Sequence, residues 1–250
     1  MRLFILLSYN GRAFSGWQIQ SNAVSVQEEL ERALSIAFSQ PVSVVGAGRT
    51  DALVNASRYI AHFDVTDRVI EEPEALLCKI NAILPGDICV YELYKVKDDA
   101  HARFDAVSRT YRYFVHTSKD PFAERSFFCK FRLDVEAMNA GAQFLLGRHD
   151  FSSFEKVGGG NITSFCTVKE ARWSREDESH LVFEITADRF LRNMVRAVVG
   201  TLLDVGRGCH KPEWVAEVLA AKDRGAAGQS VPGEALFLAD IRYPYELKTI

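Results

Sequence analysis

Cysteine is scarce in this 250-residue chain and poorly placed for structural work. The five residues Cys78, Cys89, Cys129, Cys166 and Cys209 are odd in number and far apart, with no C-x-x-C pair and no histidine at ligand spacing. That removes a zinc site and a disulfide framework from consideration. No apolar run approaches the roughly 20 residues of a membrane helix, so no membrane role is expected. The opening run MRLFILLSYNGRAFSG breaks at Ser8 without a small-residue cleavage pattern, so it reads as the first strand of a cytoplasmic protein rather than as a signal sequence. Charge of one sign is not in excess: 30 Lys and Arg against 33 Asp and Glu leave −3. Any grip on phosphate must therefore come from local clustering of cations.

Two nucleotide signatures are also incomplete. Gly158-Gly159-Gly160 lacks the G-K-[ST] ending of a phosphate loop and reads as a mobile surface loop. In GAGRTDA, Asp51 stands where a dinucleotide fingerprint needs its third glycine, and no helix clearly begins there, so nicotinamide and flavin binding are rejected. The six histidines are scattered and define no Ser/His/Asp triad.

What remains is an ordinary globular composition, 48% hydrophobic and 25% charged, long enough for one large domain or two smaller ones. Leu3 to Tyr9 reads as a strand. Ser25 followed by Glu28 is a capping box, and Val26, Leu30, Ala33, Leu34, Ala37 and Phe38 recur on one helical face up to Pro41. Val42 to Val45 and SRYIAHFDV read as strands on either side of GAGRTDALVNA. A helix from Pro73 to Leu84, stopped by Pro85-Gly86-Asp87, precedes a strand from Ile88 to Val96. The resulting β, α, β, β, α, β rhythm is ferredoxin-like or RRM-like. The second half has a strand in SRTYRYFVHT, a helix from about Asp134 to Leu146, strands flanking REDES, helices starting near Arg189 and Pro212, and a last strand ALFLADIRY. The expected architecture is α+β with two related units, residues 1–105 and 106–250, around a mostly antiparallel sheet with flanking helices.

Three stretches carry candidate chemistry. In GAGRTDA, glycines allow a tight turn that presents Arg49 and Asp51 at a sheet's end, although a local Arg–Asp contact closing a turn is the simpler reading of those residues alone. In ADRFLRNMVRAVVGTLLDVG, helical periodicity gathers Arg189, Arg192, Asn193 and Arg196 opposite a broad apolar face. That arc is either solvated surface or a holder of phosphate or carboxylate. In HARFDAVSRTYRY, Arg109, Tyr111 and Tyr113 share a strand face after Arg103 and Phe104. RNA recognition uses such interleaving of cations and rings, and an edge strand packed on a core would show it equally.

Seven ordered segments, GWQIQSNAVSVQEELERAL, GAGRTDALVNA, LPGDICV, HARFDAVSRTYRY, LLGRHDFSSF, FLRNMVRAVVGTLLDVG and AAKDRGAAGQSVPGEALFLADIRYP, closely resemble the tRNA pseudouridine synthase A family across nearly the whole chain. The resemblance implies the pseudouridine synthase fold, a homodimer that grips tRNA, and neither metal nor organic cofactor. It implies conversion of uridine to pseudouridine in the anticodon stem and loop, at tRNA positions 38, 39 and/or 40. Asp51 matches the family's catalytic aspartate, Arg196 the arginine that pairs with it, and Tyr111 the tyrosine that stacks on the target uracil after it is flipped out. Arg49 would reach RNA phosphate or help displace the target base. Arg109 joins the substrate contacts, and Arg12, Arg58, Arg189 and Arg192 are candidates for the RNA backbone.

The chain departs from the family's GRTDAGVHA at Leu53 and Asn55, which replace a glycine and a histidine. It also carries VGGGNITSF where the family is more basic. A catalytically diverged RNA-binding protein on the same scaffold is the alternative these departures raise. A two-carboxylate glycosidase would need a second acid opposite Asp51, and none stands out.

Overall fold

The computed structural model describes residues 1–66, 70–158 and 162–250. Gly159 and Gly160 of the triple glycine therefore lie outside the described residues. The chain forms two compact units, one of Met1–Val107 with Leu238–Ile250 and one of Ser108–Phe237. The first contains β1 (Arg2–Tyr9), α1 (Val26–Phe38), β2 (Val44–Gly46), β3 (Asn55–Asp64), α2 (Pro73–Ile83) and β4 (Ile88–Lys95). The second contains β5 (Ser108–His116), β6 (Phe127–Phe128), α3 (Val135–Gln143), β7 (Gly147–Asp150), β8 (Phe165–Arg175), β9 (His180–Ala187), α4 (Met194–Gly206) and α5 (Trp214–Ala221). Then follow β10 (Leu236–Arg242) and β11 (Lys248–Thr249), the latter on β4. The fold is α+β and mostly antiparallel, with β5–β6 a parallel pair.

In the first unit, β1 lies between β3 and β4, pairing Leu3 with both Phe63 and Lys95, and β2 extends the order beyond β3. This is the ferredoxin-like order, set by two strand-helix-strand crossings. The capping serine acts as expected: Ser25 Oγ accepts from Glu28 N at 3.2 Å, and the six apolar positions anticipated on α1 are its buried face. The continuous apolar run of β1 is buried from Leu3 to Leu7 because both sheet faces are covered. In the second unit, β9 lies between β5 and β8, and α3 and α4 pack together. Asn139 of α3 is tied to β8 by a reciprocal pair with Trp173, Asn139 Nδ2 donating to its carbonyl at 3.0 Å and Oδ1 accepting from its N–H at 2.8 Å.

One expected element is corrected. The helix anticipated near Arg189 begins only at Met194, after Asn193 takes a left-handed conformation with φ 68°. Before it, Asp188 Oδ1 accepts from Thr167 N at 2.8 Å and from Arg189 N at 2.7 Å, fixing an extended turn instead of a helical one. Arg189 and Arg192 therefore do not share a helix face with Arg196.

His62, on β3, is buried, and its Nδ1 accepts from Ala102 N at 3.1 Å, which requires a neutral ring. Burial first, and the charges of Arg2 and His101 next, push its pKa down from 6.5 to about 4. Between those values the unfolded chain holds the extra proton, so stability contributed by the neutral ring is complete above pH 6.5 and is lost as pH falls toward 4. Unfolding free energy should drop by up to about 1.4 kcal/mol per pH unit in that window. Urea unfolding at pH 7.5 and 5 checks this, with His62→Gln flattening the dependence.

Candidate functional site

Asp51 sits in the loop between β2 and β3, and the first unit fixes that loop from below. Tyr9 and Thr50 share a buried hydroxyl hydrogen bond of 2.8 Å, Tyr59 Oη donates to Gly48 O, and Trp17 stacks on Tyr59 with ring centroids 4.2 Å apart. Trp17 N donates to Thr50 O at 3.3 Å and Ala47 N to Ile60 O at 2.9 Å. Gly46 is where this aromatic floor meets the backbone: a Cβ there would lie 2.1 Å from Tyr59 Oη and 2.5 Å from Trp17, so only glycine fits. Asp51 is half-buried on this rigid turn, and Arg49 is exposed. A carboxylate in that setting is held in place yet reachable.

The two departures from the family pattern have physical accounts. Leu53 is held at φ 68°, the conformation a glycine would take without penalty, and Val54 N donates to Asp51 O at 3.2 Å across it. Asn55 is buried, and its Oδ1 accepts from Gly11 N at 2.9 Å. That bond ties the 3-10 turn Gly11–Ala13, which carries Arg12, to the end of the Asp51 loop. Nothing in the sequence marked Asn55 as an anchor, since its partner is 44 residues away.

Left-handed backbone costs a non-glycine residue about 1–2 kcal/mol, part of which glycine gives back through the greater freedom of its unfolded chain. Leu53→Gly relieves that strain but gives up the burial of a side chain that is 42% exposed, so the two nearly offset. Stability should stay within about 1 kcal/mol of wild type, far less than the loss expected for a leucine removed from the core. The urea midpoint at unchanged slope is the readout.

Arg58 is exposed on β3 and pairs with Asp240 at 3.3 Å. In the second unit, Tyr111 of β5 is half-buried with its ring edge-on to Phe190, centroids 5.0 Å apart. Tyr113, expected on the same recognition face, is instead fully buried. Its hydroxyl donates to Pro232 O at 3.1 Å, and burial drives its pKa far above the usual phenol range. It is a core residue. Arg109 Nη1 donates to Asp188 O at 2.9 Å and Arg189 Nη1 to Thr163 O at 3.1 Å, while Arg192 is exposed. Arg196, in the first turn of α4, donates from Nε to Val231 O at 2.7 Å, and its own carbonyl accepts from Val231 N at 3.2 Å. The guanidinium is thereby aimed by the backbone of the segment before β10.

Asp51, Arg49, Arg12 and Arg58 thus belong to the first unit, and Tyr111, Arg109, Arg189, Arg192 and Arg196 to the second. Burial pushes the Cys166 thiol up to about 12, which disqualifies it as a nucleophile. Among the described residues, no group of three or more His, Cys, Asp or Glu side chains could hold a metal ion, and no helix is long and apolar enough to cross a membrane.

A family described as tRNA pseudouridine synthase matches residues 142–244. Over nearly its whole length the chain is similar to proteins named tRNA pseudouridine synthase A. It is 52% identical to that of Parabacteroides distasonis over 247 residues, 98% of this chain and 97% of the relative. It is 46% identical to that of Bacteroides fragilis over 98% of each chain, and 41% identical to that of Colwellia psychrerythraea over 98% of this chain and 94% of the relative.

Proposed function

Since the chain belongs to the tRNA pseudouridine synthase A family, we propose that it isomerises uridine to pseudouridine in the anticodon stem and loop of tRNAs, at positions 38, 39 and/or 40, with Asp51 as the catalytic nucleophile. The observation that carries this reading is a half-buried carboxylate on a loop braced by Tyr9, Trp17 and Tyr59. The reaction breaks the bond from ribose C1′ to uracil N1, turns the freed base, and joins C1′ to C5. C5 loses its proton to solvent and N1 gains one, so the product is an isomer. Attack of Asp51 on the sugar, attack on the base, or removal of a ribose proton all use the carboxylate as the electron-rich partner.

Arg196 pairs with Asp51, its orientation set by the Val231 carbonyl. Tyr111 stacks on the flipped uracil, supported edge-on by Phe190. Arg49 reaches the RNA at the target base, and Arg109, Arg12, Arg58, Arg189 and Arg192 supply backbone contacts, which makes binding steeply salt-dependent. The enzyme works in the cytoplasm as a homodimer. The tie from Asn55 to Gly11 and the glycine-like backbone of Leu53 favour an intact active loop over a diverged one.

The test is incubation with tRNA tritiated at uracil C5. Release of tritium by the wild-type protein, with pseudouridine mapped to the anticodon arm, is the expected result. No release from any tRNA would leave the RNA-binding alternative.

A further inference from the structure

We propose that a groove in the second unit, walled by Phe128 and Phe131 and rimmed by Lys130 and Arg207, holds a nucleotide of the tRNA other than the one that reacts. The proposal rests on the tRNA reading above. The groove encloses about 460 Å³, and Val231 and Pro232 line it together with these side chains. Residues 119–132 contribute four phenylalanines and four cations against two carboxylates, a local basic and aromatic concentration in a chain whose net charge is −3.

The two rings are placed differently. Phe128 lies on His116 with centroids 5.3 Å apart and still exposes 47% of its surface, while β6 and the bond from Cys129 N to His116 O at 2.8 Å fix it against β5. Phe131 carries Arg207 at 4.2 Å and Lys130 at 5.3 Å from its centroid, which gathers both cations at one wall. Arg207 also meets Asp204 at 3.3 Å, so the carboxylate in the groove is already compensated.

A nucleotide matches both features. Its base stacks on the open surface of Phe128, and its phosphate takes the paired cations. An acidic peptide would satisfy the cations and leave the ring unused. Arg196 and Arg207 lie 11 residues apart along one helical path, about 16 Å along its axis, so the nucleotide held here is not the one beside Arg196. Val231 and Pro232 carry the carbonyls that accept from Arg196 and Tyr113, so an occupied groove bears on the segment that aims Arg196.

The test compares wild type, a Lys130→Ala/Arg207→Ala double variant, Phe128→Ala and Phe128→Trp for tritium release and for tRNA binding between about 50 and 200 mM salt. The double variant should raise KM and Kd about tenfold and flatten the slope of log Kd against log salt by about one, for the one phosphate no longer neutralised. Phe128→Ala should raise both about tenfold without changing the slope, Phe128→Trp should restore them, and the effects should fall on KM rather than kcat. Wild-type KM and slope in all variants of an active enzyme would overturn this inference alone, whereas an inactive wild type would overturn the tRNA reading. A KM rise that tracks loss of a dimer in sedimentation would assign the groove to contact between copies and overturn it as well.

Discussion

Asp51→Asn is expected to lower the single-turnover rate of tritium release by at least about 10⁴-fold while leaving tRNA affinity within a few-fold of wild type. The substitution keeps the shape of the side chain and removes its negative charge, so it deletes the reacting group and little else. Thr50, Gly48, Ala47 and Val54 carry hydrogen bonds that fix the loop through their own backbone or the hydroxyl of Thr50, and an isosteric amide at position 51 leaves all of these in place. Stability should accordingly stay within about 0.5 kcal/mol. Asp51→Glu keeps the charge and displaces it by roughly 1 Å, for which about 10²-fold loss is expected. If Asp51→Asn retained more than a few per cent of the wild-type rate, the carboxylate would be a structural feature of the turn and the nucleophile would have to be sought elsewhere.

The sequence made local rules legible and left remote ties hidden. Ser25 and Glu28 announced α1, and its period of apolar residues named the buried face, because both signals lie within a few residues of the structure they specify. The apolar run of β1 was equally plain. The start of α4 was not, because ADRFLRN continues the helical period while Asp188 captures two backbone N–H groups and Asn193 turns left-handed without a glycine to mark it. At the site, the aspartate and its glycines stood out as a motif, whereas the floor of Tyr9, Trp17 and Tyr59 is assembled from three separate stretches. Tyr113 shows the limit of strand alternation, since it is fully buried while Arg109 and Tyr111 on the same strand face stay partly exposed.

Gly200→Ala should destabilise the protein by about 3 kcal/mol or more, although alanine is the better helix former by about 1 kcal/mol. Gly200 is buried within α4, where a Cβ would lie 1.8 Å from Gln229 O and 2.9 Å from Gln229 C. No side chain can yield there, because the obstacle is backbone. Relief requires residues 228–231 to move off the helix, yet that segment is laced to α4 by Gly228 N donating to Thr201 Oγ1 at 2.9 Å, by Asn193 Nδ2 donating to Ser230 Oγ at 2.7 Å, and by the reciprocal bonds of Arg196 with Val231. Each buried tie lost costs about 1–3 kcal/mol. The same movement withdraws the carbonyl that holds Arg196 Nε, so the fraction that remains folded at low temperature should also lose turnover, with KM less affected. Gly86→Ala is the control, since no atom lies within 4 Å of its would-be Cβ and its stability should change by no more than about 0.5 kcal/mol. A Gly200→Ala protein with the wild-type urea midpoint would mean that the segment before β10 can slide along α4, and Arg196 would then lack the fixed aim that the role proposed for it requires.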